Sequence, residues 1–274
     1  MTPPYEHTGA HWEPLSRRGR VLVSREHGFS TDTLLLADFS LPLRGEACAD
    51  LGTGCGVIPL LWKLRGKPGP VWGVELQEDG ARQAEVSVRE NGFSREITIL
   101  QGDVRDIRSL FSHQSLDLVS CNPPYQAAGT GLPGTREALH TARHGDTLSL
   151  GDLARAARYV LRQGGKLCLC LRTGRLAEAL ALFREESLEP KRLRLVQQRA
   201  GKAPYLFLLE CRSGGRSGMT VEPTLLLEEG GAPSAELEAI YGDYRENAGW
   251  KKREQAPAAE AEAGGARGKD GASC

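Results

Sequence analysis

Residues 49–61 read ADLGTGCGVIPLL. A short apolar run reaches Asp50 and Leu51, meets glycines at 52, 54 and 56, and passes straight into a second apolar stretch. Glycine adopts left-handed backbone at little steric cost, so this spacing describes a tight turn whose backbone can approach a ligand closely. A strand feeding a helix through such a turn leaves orphan N–H groups at the helix start, above the strand's carboxyl end. The pattern departs from the dinucleotide fingerprint GxGxxG, whose third glycine would be needed at Val57. A ligand without a phosphate is therefore favoured over a pyrophosphate.

The surroundings repeat the strand-to-helix theme. Strand-like runs occur at 47–51, 71–75, 97–101, 116–121 and 166–171, separated by helix-like runs near 56–65, 77–91, 149–162 and 175–187. This alternation predicts an α/β fold of βαβ units, a mainly parallel sheet with helices on both faces. RLRLVQQ (192–198) and APYLFLLEC (203–211) are close enough to form an antiparallel pair that closes the sheet. STDTLLLADFSL (30–41) reads as a helix capped by Ser30 or Thr31, VLVS (21–24) as a short strand, and residues 1–20 as polar and irregular. Gly164-Gly165 reads as a helix stop. The expected division is an N-terminal segment over 1–45 packed on a catalytic domain over 46–212, a C-terminal extension over 213–250, and a disordered tail over 251–274.

Composition removes several function classes. Thirty-five basic residues balance thirty-five acidic ones, so no global positive field draws the chain to nucleic acid or anionic membrane. The N-terminal residues lack a charged-then-apolar leader pattern, and no apolar run approaches the ~20 residues needed to span a bilayer. A cytoplasmic protein is expected, monomeric or weakly dimeric. The seven cysteines include no CxxC pair, and Cys48, Cys121, Cys168, Cys170 and Cys211 lie in or beside strand-like runs. Buried reduced thiols explain them better than disulfides or a metal site.

Three carboxylates stand at or just beyond the ends of successive strand-like runs. Asp50 could meet a cationic group, Glu75 could accept from ribose hydroxyls, and Asp103 in QGDVRD (101–106) could accept from an adenine amine. At adjacent carboxyl ends of a parallel sheet they line the crevice where α/β ligands bind. The set suits a ligand combining ribose, adenine and positive charge, and S-adenosylmethionine fits.

VSCNPPY (119–125) ends the fourth strand-like run with groups that cannot continue a sheet. The lone pair of a planar amine is delocalised, and accepting hydrogen bonds from both of its N–H groups aims that lone pair at an incoming methyl. Asn122 offers a side-chain oxygen. The Pro123 carbonyl offers a second, held because Pro124 restricts Pro123 to extended geometry. Tyr125 offers a flat face for a planar substrate, a contact worth ~1–3 kcal/mol for bases. Alignment supplies much of the catalysis, and the reaction needs no metal.

Together DLGTGCG, VE, GDV and NPPY resemble the class I S-adenosylmethionine-dependent methyltransferases, in the branch with an (N/D/S)PP(Y/F/W) motif, over roughly residues 25–211. The resemblance implies a Rossmann-like, mostly parallel seven-stranded sheet with its last strand antiparallel. It implies a catalytic set of Asn122, Pro123, Pro124 and Tyr125, and cofactor contacts from Asp50, Gly52, Gly54, Gly56, Glu75, Asp103 and Asn122. Within that branch, HGFSTDTLLLADF (27–39), ARH (142–144), GGKL (164–167) and LEPKRLRLVQQRAGKAPYLFLLE (188–210) are similar to small bacterial enzymes that methylate the amine of adenine 37 in a valine tRNA. That implies an N6-adenine methyltransferase acting on RNA, whose anticodon-loop base is already unpaired. Release-factor glutamine methyltransferases carry an extra helical domain ahead of the cofactor fold, and the chain before Asp50 is short for one. Ribosomal RNA or DNA amines, the release-factor amide, and an RNA-binding module without turnover remain alternatives. Lys191, Arg192, Arg194, Arg199 and Lys202, with Arg17, Arg18, Arg20 and Arg25, could contact phosphates. Arg136, His140, Arg143 and His144 could form a lid or phosphate clamp.

Overall fold

Strands β3 (Cys48–Leu51), β4 (Val71–Glu75), β5 (Ile97–Gln101), β6 (Leu116–Cys121) and β7 (Leu161–Arg172) lie parallel, in the spatial order β5-β4-β3-β6-β7. The computed structural model describes residues 9–67, 69–123 and 148–244. Helix α2 (Val57–Leu64) follows β3 and α3 (Glu78–Glu90) follows β4. The short α4 (Ile107–Leu110) follows β5, α5 (Leu150–Val160) precedes β7, and α6 (Leu176–Glu185) follows it. Strand β9 (Leu206–Ser213) inserts antiparallel between β7 and β8 (Leu188–Arg199). These seven strands are the sheet expected from the sequence.

The sheet does not stop at seven. Strands β10 (Thr220–Val221) and β11 (Leu225–Glu229) both pair parallel to β8, and β12 (Ala232–Pro233) pairs with β11, which brings the sheet to ten strands. Left uncovered, the twelve-residue β8 would present a long row of unpaired backbone groups, so the C-terminal segment closes an exposed edge. Helix α7 (Ala235–Tyr241) then returns to the domain. There Arg65 donates to Asp38 Oδ1 at 2.7 Å and to the Ile240 carbonyl at 2.6 Å, joining α7 to α2 and to α1 (Thr31–Phe39).

Two apolar layers sandwich the sheet because successive strand residues face opposite sides. In β7, Leu167, Leu169 and Leu171 pack with α5 and α6, whereas Cys168 and Cys170 belong to the layer under α1 and α2. All six described cysteines are buried and unpaired with one another. Trp62 of α2 is fully buried and donates its Nε1–H to the Ala37 carbonyl of α1 at 3.3 Å. Trp62→Ala is expected to cost ~3–5 kcal/mol. Urea unfolding should show a lowered midpoint with an unchanged slope.

Two expectations fail locally. Residues 11–16 are not irregular: β1 (His11–Ser16) forms a hairpin with β2 (Gly19–Val23). Pro14 and the polar neighbours hide the strand, which an edge position tolerates and which partner pairing alone creates. Gly164 is not a helix stop. Helix α5 ends at Val160, and Gly164, at φ +78°, occupies a bulge where the ladder skips from Leu161 to Lys166. Among the described residues no helix is long and apolar enough to cross a membrane.

The hairpin is tied to α3 by polar bonds. Gln83 Nε2 donates to the carbonyls of Leu22 and His27, each at 2.7 Å, and the Leu22 N–H donates to Ser87 Oγ at 3.0 Å. This docking holds His27 at the carboxyl edge of the sheet.

Candidate active site

The carboxyl ends of β3, β4 and β6, with the turn after β5, enclose a cavity of about 270 Å³. Gly52, Glu75, Leu76, Asp103, Asn122 and Pro123 are among its lining residues. It lies where open α/β sheets bind ligands.

The glycine turn builds one wall. Gly52, Gly54 and Gly56 have φ of +77°, +53° and +86°. The N–H groups of Gly52 and Thr53 both donate to the Val74 carbonyl, at 2.8 and 2.9 Å, which holds the turn over β4. A Cβ on Gly52 or Gly54 would meet no atom within 4 Å, so that side stands open. Gly56 differs: its Cβ would come within 3.1 Å of Ala84 Cβ, and it caps α2. Gly56 thus serves helix packing, and neither it nor Gly54 is among the residues lining the cavity.

Glu75 is fixed before any ligand arrives. Its Oε2 accepts from the Gly54 N–H at 2.8 Å and its Oε1 from the Gln77 N–H at 2.9 Å. Each carboxylate oxygen can accept more than one hydrogen bond, so an oriented acceptor faces the cavity. Asp103 also lines it but is already gripped by Arg105, whose Nε lies 2.9 Å and Nη2 2.5 Å from Asp103 Oδ2. That fork holds the Asp103 carboxyl below the usual carboxylate range.

Asp50 lies beneath the turn rather than in the cavity lining, and accepts from Ser120 Oγ at 2.6 Å. Burial pushes its pKa from 3.8 up to about 6, against the pull of the Ser120 hydroxyl. A carboxyl raised on folding stabilises the fold below its unfolded pKa and loses that contribution as pH rises through the folded value. Relative to Asp50→Asn, wild-type stability should therefore fall by about 2 kcal/mol between pH 4 and pH 7. Urea titrations of both proteins across that range measure the difference, and a flat difference would contradict the burial argument.

Asn122 leaves β6 with its side chain already engaged. Nδ2 donates to Thr33 Oγ1 at 3.1 Å, and Cys170 Sγ donates to Oδ1 at 3.0 Å. Pro123 is buried and lines the cavity. Pro124 and Tyr125 lie outside the described residues, as do Arg136, His140, Arg143 and His144.

The basic residues divide. Arg192 reaches the Phe39 carbonyl at 2.7 Å and Glu210 at 3.2 Å, and stacks 3.9 Å over the Phe39 ring. Arg194 pairs with Glu236 at 2.7 Å, and Lys191 donates to the Gly218 carbonyl at 2.6 Å. These three tie the C-terminal segment and α1 to β8, so their side chains are engaged within the fold. The Arg20 N–H donates to Asn91 Oδ1 at 3.0 Å, just past the end of α3, and its side chain pairs with Glu90. That helix runs back from the carboxyl edge, so Arg20 and the hairpin turn with Arg17 and Arg18 lie at the opposite end from the cavity. Arg199 and Lys202 are exposed at the carboxyl end of β8, on the cavity's side of the sheet.

Several lining or supporting residues escaped the sequence reading: Leu76, Arg105, Leu148, Thr33 and Cys170. Leu76 carried a usable signal, being a large apolar residue directly after the strand-end Glu75, and it is 45% exposed.

Open glycine backbone, an oriented Glu75, apolar Leu76 and Val104, and acidic Asp103 suit hydroxyl and amine donors on a flat nucleoside. Arg105 offsets Asp103, and Glu75 leaves the wall a net negative charge that disfavours a phosphate. The residues therefore fit S-adenosylmethionine, and fold and site together define a class I methyltransferase. The chain belongs to the methyltransferase small domain family, whose model matches residues 24–185. It is a methyltransferase, and S-adenosylmethionine is its methyl donor. A tRNA1(Val) (adenine(37)-N6)-methyltransferase from Parabacteroides distasonis is 31% identical over 180 residues, covering 66% of this chain and 74% of that protein. Its namesake from Tolumonas auensis is 32% identical over 181 residues, covering 65% and 73%. A solved structure described as a predicted O-methyltransferase, from Agrobacterium tumefaciens, superposes with a TM-score of 0.63 at 23% identity. It covers 78% of this chain and 96% of its own, and supports the fold.

Proposed function

We propose that this enzyme methylates the exocyclic amine of an adenine in tRNA, specifically adenine 37 of a valine tRNA. The observation that carries the reading is Asn122-Pro123 at the end of β6, in the wall of the same cavity as Glu75. The names of the relatives support the choice of acceptor.

When bound, S-adenosylmethionine supplies an electrophilic methyl with its own leaving group. Glu75 accepts from the ribose hydroxyls, Gly52 and Gly54 let the backbone lie against the ligand, and Leu76 and Val104 flank the adenine ring. Asp103 accepts from the cofactor's adenine amine while Arg105 holds it. Asp50 acts from below, stiffening the turn through Ser120. On the acceptor side, Asn122 Oδ1 and the Pro123 carbonyl accept the two N–H groups of the target amine, turning its lone pair towards the methyl. Pro124 keeps Pro123 extended and Tyr125 stacks on the target base. No base is required before transfer, because the proton leaves after the new N–C bond has made the nitrogen cationic. Arg199 and Lys202 contact tRNA phosphates. The acceptor places the enzyme in the cytoplasm.

The test uses purified enzyme, radiolabelled S-adenosylmethionine and three acceptors in parallel: tRNA from a strain lacking this gene, a release factor, and an unmethylated DNA duplex. Label in tRNA that maps to N6-methyladenine is the expected result. Label in the release factor keeps the account of Asn122 and overturns the RNA acceptor.

A further inference from the structure

We infer that Thr33 and Cys170 are positioning residues that set which end of the Asn122 carboxamide faces the acceptor amine. The inference rests on the role given to Asn122 above. A carboxamide has two ends of nearly equal shape and opposite hydrogen-bonding character. Presented by its oxygen, it accepts from an amine. Presented by its NH2, it sets donor against donor and loses the bond that aims the lone pair. Rotation about the last side-chain torsion interconverts the two, and that torsion is soft. Something must choose.

The choice comes from two distant parts of the chain. In the β6–β7 ladder Cys121 stands opposite Leu169, so Asn122 and Cys170 follow side by side at the carboxyl edge. Cys170 is fully buried in the layer beneath α1, and its Sγ lies 3.0 Å from Asn122 Oδ1. A thiol offers one S–H and is a weak acceptor, so the amide oxygen is its natural partner. Thr33, in the first turn of α1, has Oγ1 at 3.1 Å from Asn122 Nδ2 and at 3.5 Å from the Ser30 N–H. A hydroxyl oxygen has two lone pairs, and both contacts use it as an acceptor. Both contacts fit one orientation, oxygen towards Cys170 and nitrogen towards Thr33, and reversing it would set the Cys170 S–H against the amide NH2. Both residues stand on regular elements of the core, so the setting precedes any ligand.

The experiment compares full-length wild type, Thr33→Val and Cys170→Ala with the conservative Thr33→Ser and Cys170→Ser. Three quantities are read: the single-turnover rate of methyl transfer, the S-adenosylmethionine Kd by calorimetry, and the side-chain NH2 resonances of Asn122. Those resonances come from protein labelled with 15N-asparagine and are assigned by their loss in Asn122→Ala. Thr33→Val and Cys170→Ala should each slow transfer about tenfold with Kd unchanged, and each should shift the Asn122 NH2 pair. The serine variants, which keep a hydroxyl at each position, should recover most of the rate and of the shift. Unmoved NH2 resonances, or a lost rate that serine does not recover, overturns the inference. Should the release factor rather than tRNA take up label, the rates are read on that acceptor, and the resonances decide without any acceptor. Failure of the tRNA reading and failure of this one are therefore separate results.

Discussion

Asn122→Ala is expected to lower the rate of methyl transfer by about 10²–10³-fold, the range for removing one preorganised polar group that acts on the reacting atoms. Binding of S-adenosylmethionine should stay close to wild type, because Gly52, Gly54 and Glu75 remain. The alanine also removes the hydrogen bonds to Thr33 and Cys170, so stability should drop by about 1–2 kcal/mol. Asn122→Asp separates the two effects. It keeps an acceptor oxygen beside Cys170 and should retain more turnover than alanine does. The measurement is a single-turnover time course with melting curves on the same preparations. An alanine variant that melts early yet transfers methyl at the wild-type rate would leave Asn122 a structural residue and sink the proposed mechanism.

Glu75→Ala is expected to raise the S-adenosylmethionine Kd by about 100-fold, since hydrogen bonds to a charged group are worth ~1.5–3 kcal/mol. The loss has two parts. Ribose hydroxyls lose their acceptor, and the Gly54 and Gln77 N–H groups lose the carboxylate that orders the turn. Glu75→Gln tests the second part, because its NH2 must oppose one of those N–H donors. It should therefore bind hardly better than alanine. Calorimetric titration of both variants gives the Kd directly. A glutamine variant binding like wild type would show that the negative charge and the backbone clamp are dispensable.

Much of the fold was legible because its signals are local. Apolar runs alternating with helix-like segments gave the parallel strands β3 to β7, and the close pair at 192–211 gave β8 and β9. Strand β1 was illegible because Pro14 and its polar neighbours mask it, and only pairing with Gly19–Val23 makes it a strand. Strands β10 to β12 were missed for the same reason: the two- and five-residue β10 and β11 exist as strands only through the ladder of β8, and β12 only through that of β11.

The site divides in the same way. Glu75, Asp103, Asn122, Pro123 and Gly52 were read from their positions at strand ends, and the structure brings them to one cavity. The partners of Arg192 and Arg194 were illegible, because a linear sequence cannot reveal that Glu210 and Glu236 face them from other elements. The packing of Gly56 against Ala84 was illegible for a related reason, since only the approach of α3 creates it.

The sequence by itself determined the alternating architecture, the strand-end acidic groups and the Asn-Pro-Pro-Tyr run, because hydrophobic period and turn chemistry act over a few residues. Tertiary structure alone decided that a threonine at 33 and a cysteine at 170 meet the amide at 122. It also decided that Glu75 receives two backbone N–H groups and that the basic stretch on β8 is largely spent on holding the sheet edge. Those outcomes depend on side chains brought together across dozens of residues by helix and strand packing, a distance over which local pattern carries no information.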